Sequence, residues 1–157
     1  MQLVTCSLHL ASSDANSKSF LKNIKQKNMS VFTKIINGEI PSHKIAENED
    51  FIAFLDIDPL VMGHVLVVPK IEVNKIFDLS EKYLAGMLVF AQPIAKAIER
   101  SFDCKRCGVS VIGIEVPHCH MHLVPINSAN DLNFTRPKLQ VSNEELEAVK
   151  QKIISNL

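Results

Sequence analysis

The 157-residue sequence contains no tryptophan, a single tyrosine and only five glycines, and its seventeen basic residues balance its seventeen acidic ones. A chain without net charge has no overall field that would attract nucleic acid or an anionic membrane surface. The sequence also lacks any apolar run near the roughly 20 residues that a membrane-spanning helix needs. We therefore expect neither a nucleic-acid partner nor a membrane partner.

Cysteines are few, and their spacing is irregular: Cys6, Cys104, Cys107 and Cys119. This pattern does not suit a disulfide-stabilised secreted domain, and the first residues lack the basic start and apolar stretch of a secretory signal. We therefore expect a cytoplasmic protein. Cys104 and Cys107 have the spacing of a metal-ligand pair, but zinc needs four ligands, so free and partly exposed thiols are expected.

Hydrophobic residues make up 46% of the chain and charged residues 22%, a composition typical of a folded globular protein. Residues 29–157 are predicted to form one domain. Residues 1–28 are largely polar and show no clear core face. They are predicted to be an N-terminal extension that is flexible or partly helical, with a short helix near residues 20–24.

Apolar periodicity, with glycine and proline as breaks, predicts an α-β-β-β-α-β-β-α order. The first seven predicted elements are residues 31–40, 43–47, 51–57, 64–70, 80–101, 108–113 and 116–126. A final helix follows the capping box formed by Ser142 and Glu145. A second capping box, with Asp78 as N-cap, should start the long helix, and Pro93 should kink or re-start it. This order predicts an α+β domain with a mainly antiparallel five-stranded sheet.

The most informative stretch runs from Pro117 to Pro125, where His118, His120 and His122 occupy alternate positions. Side chains alternate between the two faces of a strand, so all three imidazoles are predicted to project to one side. The residues that alternate with them are apolar and are predicted to pack against the long helix: Cys119, Met121 and Leu123.

Three interpretations of this stretch are open. The first is a strand that is rich in histidine without a chemical role. The second is a metal site, because imidazole is a good ligand for zinc, copper or iron. The third is nucleophilic catalysis, in which a neutral imidazole attacks phosphorus while its neighbours orient it.

The run resembles the signature of the histidine triad (HIT) nucleotide-binding proteins, His-x-His-x-His-x-x with apolar residues at each x. The resemblance continues through residues 31–41, 51–59 and 63–70 in the family's order, and it covers about residues 29–126. It implies a HIT-like fold and a homodimer whose sheets join edge to edge. The short chain looks closest to the small phosphoramidate hydrolase branch, which implies a purine nucleoside phosphoramidate or related phosphoanhydride as substrate.

In this family the middle histidine attacks the α-phosphate and forms a nucleotidyl-histidine intermediate. The resemblance therefore implies that His120 is the nucleophile and that His118 orients it, largely through its backbone carbonyl. His122 and His64 would complete the imidazole cluster that holds the phosphate charge. No cofactor and no metal are implied for the chemical step.

The resemblance also implies where the nucleoside binds. Asp56 would bind the ribose hydroxyls, since a carboxylate can accept two hydrogen bonds, although an exposed turn carboxylate is the alternative. Apolar residues that match base-contacting positions, with plain core packing as the alternative, are Val31, Phe32, Ile35, Phe54, Leu55 and Ile57.

Some positions depart from the family pattern. The family usually has a glycine-glutamine pair beside the phosphate, whereas this chain has Gly113 and Ile114, so the side-chain donor is missing. Glu115 follows, and a carboxylate there would repel phosphate unless it is protonated or turned away. These changes leave the leaving group open. The missing glutamine also keeps a rival function open, a nucleotide-binding regulatory module with little catalysis. A second rival is a metal-dependent enzyme that uses the same imidazoles as ligands.

Further residues are assigned no part in the chemistry. Some family members bind structural zinc through an N-terminal Cys-x-x-Cys, but Ser30 and Thr33 occupy those positions here and cannot form that site. Lys138 could supplement the phosphate site, but an ordinary surface lysine is the preferred interpretation. Residues 130–138 could cover the site from the same or a partner subunit, and no role is assigned to them.

Overall fold

The computed structural model describes residues 29–157, so the prediction of an extension at residues 1–28 lies outside the described residues. The order of elements is the predicted one, with two short 3₁₀ turns added at Ile76–Asp78 and Ala129–Leu132. The elements are α1 (Val31–Ile36), β1 (Lys44–Glu47), β2 (Phe51–Leu55), β3 (Val65–Pro69), α2 (Glu81–Ser101), β4 (Arg106–Ser110), β5 (Met121–Ile126) and α3 (Asn143–Ile154).

The five strands form one sheet in the order β1-β2-β3-β5-β4, and every neighbouring pair is antiparallel. The predicted α+β class with an antiparallel sheet is therefore confirmed. Because β5 returns between β3 and β4, the histidine-containing strand lies inside the sheet. His122 on β5 is in register with Leu66 on β3 and with Ser110 on β4.

The two faces of the sheet are covered differently. On one face, alternate strand residues such as Ala53 and Val67 pack with α2 and α3 in the main core. On the other face, Phe54 and Leu66 join a smaller cluster that includes Phe32 from α1. Since strand side chains alternate between faces, β2 and β3 can be buried on both sides. The thinner cover on the α1 side leaves room for a site.

The long helix starts differently from the prediction. The proposed capping box at Asp78 is wrong, because Asp78 ends a 3₁₀ turn and Ser80 is the N-cap of α2. Pro93 lies inside α2, and the helix is not re-started there. Pro93 and Val89, whose carbonyl loses its helical donor, are both exposed, so water can satisfy that carbonyl. None of the helices in residues 29–157 has the length and apolar character needed to cross a membrane.

The start of the last helix agrees with the prediction. The Ser142 hydroxyl accepts a hydrogen bond from the Glu145 N–H at 3.2 Å, and the Glu145 carboxylate accepts one from the Ser142 N–H at 2.9 Å. The predicted capping box is therefore confirmed. Leu146, Val149 and Ile153 form the buried face of α3, which packs against the same core as α2.

Candidate active site

A cavity of about 460 Å³ opens on the face of the sheet that points away from α2. Its walls come from α1, from the end of β2, and from residues 112–116 and 134–135. Phe54 and Leu66 contribute from neighbouring strands of the sheet. Cavities of this size, mostly apolar with a few polar groups, commonly bind small molecules.

Twelve of the fourteen residues predicted for the site line this cavity: Val31, Phe32, Ile35, Phe54, Leu55, Asp56, Ile57, Gly113, Ile114, Glu115, His120 and His122. The other two, His64 and His118, lie behind its wall, with exposed fractions of 1% and 0%. The structure therefore brings two histidines of the triad to the cavity and places the first one beneath them.

Residues 111–120, which include His118 and His120, form neither helix nor strand. The predicted strand over residues 116–126 is too long, because β5 begins only at Met121. Pro117 has no N–H to donate to a sheet. The N–H of Cys119 donates instead to the carbonyl oxygen of Val73 at 2.7 Å, in the segment that follows β3. This bond holds the histidine segment against the loop after β3, in place of strand pairing.

The predicted alternation nevertheless holds. Cys119, Met121 and Leu123 all join the core cluster that contains the buried face of α2. His120 and His122 face the cavity on the opposite side. The apolar half of the run therefore anchors the histidine half, as the sequence predicted.

His120 is held by its own neighbour. Its Nδ1–H donates to the backbone carbonyl oxygen of His118 at 2.7 Å, and the ring of Phe32 meets its face edge-on at 4.9 Å between centroids. Every buried side-chain nitrogen or oxygen in residues 29–157 has a hydrogen-bond partner. The Nε2 atom of His120 has none within these residues, so it is not buried and is accessible from the cavity. Burial lowers the pKa of His120, so this nitrogen keeps its lone pair at neutral pH.

His64 and His122 form a pair with a defined proton arrangement. The Leu60 N–H donates to His64 Nδ1 at 3.2 Å, so the proton of a neutral His64 is on Nε2. That Nε2–H donates to His122 Nδ1 at 2.9 Å, and His122 consequently carries its proton on Nε2. Burial lowers the pKa of His64 to about 3 and that of His122 to about 4. Both rings are neutral at pH 7.

Asp56 lies at the end of β2 beside this pair. Its Oδ1 accepts a hydrogen bond from the Asp58 N–H at 3.0 Å, and its Oδ2 is 3.5 Å from His64 Nδ1. The second contact is not an ion pair, because His64 is neutral. Burial raises the pKa of Asp56 to about 6. Asp56 therefore changes charge near neutral pH, in a position open to the cavity.

Asp56, His64 and His122 are also the group that could hold a metal ion within the described part of the chain, since one ligand atom from each lies within 4.8 Å of the others. In the present arrangement both ring nitrogens of His64 are already used in hydrogen bonds. An ion there would have to break the bond between the two imidazoles. Cys104 and Cys107 are partly exposed free thiols, as predicted.

The charged groups around the cavity are mostly acidic. Asp56, Asp58 and Glu115 line it, and among residues 29–157 Lys138 is the one lysine or arginine that does so. The Lys138 ammonium lies over the ring of Phe134 at 5.0 Å, and that ring meets His122 at 4.8 Å between centroids. A phosphate would therefore meet mainly neutral N–H donors, with one cation nearby.

Residues 130–138, left without an assigned role, contribute to the site. Phe134, Thr135 and Lys138 line the cavity from the same chain, so the preferred interpretation of Lys138 as an ordinary surface lysine is wrong and the alternative, a lysine at the site, is the better one. Residues 133–142 contain no helix or strand, and no periodicity could have placed them. The signal that was available is the one aromatic residue of this stretch, Phe134.

Comparison with known proteins agrees with this geometry. Residues 37–129, more than half of the chain, match the HIT domain. An adenosine 5'-monophosphoramidase of Schizosaccharomyces pombe is 33% identical over 129 residues, covering 81% of this chain and 97% of that protein.

Solved structures give the same result. A HIT-like protein involved in cell-cycle regulation, from Bartonella henselae, superposes with a TM-score of 0.72 and 31% identity, covering 83% of this chain and 98% of the other. A zinc-bound histidine triad family protein from Mycobacterium smegmatis gives a TM-score of 0.67 and 28% identity, covering 80% and 91%. The fold implied by the resemblance is confirmed.

The low pKa values of the histidine pair predict how stability depends on pH. Between pH values of about 6.5 and about 4.5, the unfolded chain binds protons on His64 and His122, while the folded chain keeps both neutral. Asp56 acts in the opposite direction, since its raised pKa lets the folded state bind one proton more. The unfolded chain therefore still binds at least one proton more than the folded chain. The free energy of unfolding should therefore fall by about 1 kcal/mol for each pH unit of acidification.

Urea denaturation at a series of pH values measures this dependence. The variant His64→Gln removes one of the two histidines that take up a proton on unfolding. Its free energy of unfolding should therefore depend less steeply on pH than that of the native chain. An equally steep dependence in the variant would contradict the assignment of His64 as a neutral buried imidazole.

Proposed function

We propose that this chain, which belongs to the histidine triad (HIT) family, is a nucleotide phosphate hydrolase or nucleotidyl transferase with His120 as its nucleophile. The observation that carries the proposal is the accessible Nε2 of His120, on a ring held through its other nitrogen by the His118 carbonyl. Similarity to an adenosine 5'-monophosphoramidase supports a purine nucleoside phosphoramidate or related phosphoanhydride as substrate.

The reaction would proceed in two displacements. The lone pair of His120 Nε2 attacks the α-phosphorus, and the phosphorus–nitrogen or phosphorus–oxygen bond to the leaving group breaks. The leaving group departs with that electron pair and takes up a proton from solvent. Water or another acceptor then attacks phosphorus and loses a proton to solvent, while the phosphorus–Nε2 bond breaks and its electron pair returns to Nε2, so that His120 is neutral again. Two steps of this kind replace one difficult displacement.

His122 is suited to assist at the phosphate. Its Nδ1 accepts the proton of the His64 ring, so its Nε2–H is available to donate to a phosphate oxygen. A neutral donor that is fixed in place strengthens its bond as charge develops on that oxygen. His64 acts behind it, by holding His122 in the tautomer that donates.

The nucleoside would occupy the apolar part of the cavity. Val31 and Ile57 line it while 42% and 65% exposed, and a base packed between them would cover that surface. Phe32, Phe54 and Leu55 are buried, so they pack in the core and contribute only an edge to the cavity. Asp56 would accept hydrogen bonds from the ribose hydroxyls.

The rival function of a nucleotide-binding regulatory module rests on Ile114. This residue lines the cavity and is 85% exposed, and its side chain offers no donor to a leaving group. The other rival, a metal-dependent enzyme, rests on the proximity of Asp56, His64 and His122. The trapping experiment below separates both from nucleophilic catalysis.

A homodimer is also part of the proposal. Strand β4 lies at one edge of the sheet and bears Val109, which is 50% exposed. Leu88 and Val89 add exposed apolar surface on α2. Pairing two copies along β4 would cover an open edge, which proteins usually avoid leaving free. A cytoplasmic location stays a prediction from cysteine usage.

A covalent intermediate is the first expected result. When the chain is mixed with an adenosine phosphoramidate labelled at phosphorus and quenched in denaturant, the label should remain on the protein and map to His120. The variant His120→Ala should retain no label. His43→Ala is the control, because His43 contacts Glu147 and Asn143 away from the cavity and should leave labelling unchanged.

Two outcomes of the same experiment would contradict nucleophilic catalysis. Nucleotide binding with neither label nor turnover would support the regulatory module. Activity that is lost on chelation and restored by a divalent ion would support the metal-dependent enzyme.

The substitution Ile114→Gln tests the missing leaving-group donor. An amide side chain at this position could donate to a leaving group that departs poorly, whereas a good leaving group needs little help. We therefore expect the variant to raise turnover more for poor leaving groups than for good ones, across a series of adenosine phosphoramidates. Equal gains throughout the series would count against this role of Ile114.

The substitution Asp56→Asn tests the ribose contact, because it removes the charge and keeps the shape. We expect KM to rise roughly tenfold with little change in kcat, since a hydrogen bond to a charged group contributes about 1.5–3 kcal/mol. In the native chain KM should rise as the pH falls below about 6, where Asp56 becomes protonated. Asp58→Asn, also at the cavity, is the control and should change KM less.

A further inference from the structure

A hydrogen-bonded network lies beneath the histidines at the start of α1. The Ser30 hydroxyl is 2.8 Å from Nδ1 of His118, whose Nε2 is 2.9 Å from the carbonyl oxygen of Pro69. The Thr33 hydroxyl donates to Oε2 of Glu72 at 2.6 Å, and the Ser30 N–H donates to Oε1 of Glu72 at 3.2 Å. Ser30 and His118 are both buried, 8% and 0% exposed.

The directions of the two hydrogen bonds at His118 follow from the carbonyl of Pro69. A carbonyl oxygen can only accept, so His118 donates its Nε2–H to Pro69, and a neutral ring then has an unprotonated Nδ1. Burial lowers the pKa of His118, which keeps the ring neutral. In the 2.8 Å contact with that Nδ1, the Ser30 hydroxyl is therefore the donor. The Thr33 hydroxyl lies 3.0 Å from the Ser30 hydroxyl and 3.4 Å from the same Nδ1, and it gives its own proton to the nearer Glu72 carboxylate.

Ser30 has a second role that must be separated from this one. It is the N-cap of α1, and its hydroxyl oxygen accepts a hydrogen bond from the Thr33 N–H at 3.1 Å. One hydroxyl thus starts the helix and fixes an imidazole. The helix also carries Phe32, whose ring contacts both His118 and His120.

We propose that Ser30, supported by Thr33 and Glu72, is a positioning residue for the reaction at His120. Its hydroxyl locks the ring of His118 between α1 and the end of β3. The carbonyl of the same residue accepts the Nδ1–H of His120 and so holds the nucleophilic nitrogen toward the cavity. This inference rests on the proposed function, since positioning has a measurable effect on turnover only when His120 attacks phosphorus.

The chain offers a matched control for the capping role. Ser142 is the N-cap of α3, and its hydroxyl accepts the Glu145 N–H at 3.2 Å, as Ser30 accepts the Thr33 N–H. Ser30→Ala and Ser142→Ala each remove one N-cap, so both should lower the Tm. Only Ser30→Ala should lower kcat, by roughly tenfold to a hundredfold, with KM changed less than about twofold.

Rescue separates the hydroxyl from the shape of the site. Ser30→Thr keeps a hydroxyl at the N-cap and should restore most of kcat. If Ser30→Ala fails to fold, Ser30→Gly paired with Ser142→Gly replaces it, because glycine is nearly as good as serine at an N-cap. The proposal is overturned if kcat in the Ser30 variant falls no further than in its Ser142 counterpart.

Nitrogen-15 NMR of the histidine rings tests the network without any substrate. In the native chain His118 should be a neutral imidazole with its proton on Nε2. Ser30→Ala should shift the Nδ1 resonance of His118, because that nitrogen loses its hydrogen-bond donor, while the Pro69 carbonyl keeps the proton on Nε2. A native His118 protonated on Nδ1 would overturn the proposal. If the native chain shows the expected tautomer but no turnover with any nucleotide, the proposed function fails, and the positioning role at His120 fails with it.

Discussion

The hydrogen bond from the Nδ1–H of His120 to the carbonyl oxygen of His118 is the constraint on which the rest of the site depends. A neutral imidazole has two nitrogens and one proton, so a proton held on Nδ1 leaves the Nε2 lone pair for the cavity. Whatever fixes the backbone of His118 therefore also fixes the proposed nucleophile. The Cys119 N–H bond to Val73 and the network around Ser30 both do so, from two sides of the same short segment.

Burial gives this cluster its second property. Four imidazoles lie close together, and each has its pKa lowered by burial, so the cluster is uncharged at pH 7. Protonating any one of them would place a charge beside the others in a weakly solvated interior. The site would therefore recognise an anion through oriented N–H groups, with Lys138 at its margin. Asp56 is the group at the cavity whose charge changes near pH 6.

Much of this arrangement could be predicted from the sequence, and the parts that could not share a physical cause. The alternation of His120 and His122 with core residues follows from backbone geometry, and it survives where the strand pairing does not. The strand start, the false cap at Asp78 and the contribution of Lys138 all depend on where irregular segments pack. Such packing leaves no periodic signal, because it is decided by single long-range hydrogen bonds and contacts.

A crystal structure with adenosine monophosphate bound tests the central claim most directly, because it locates phosphorus relative to the imidazoles. We expect the phosphorus about 3–3.5 Å from His120 Nε2, with a phosphate oxygen accepting from His122 Nε2–H and the ribose beside Asp56. A phosphate bound elsewhere in the cavity, or a metal ion held among Asp56, His64 and His122, would contradict it.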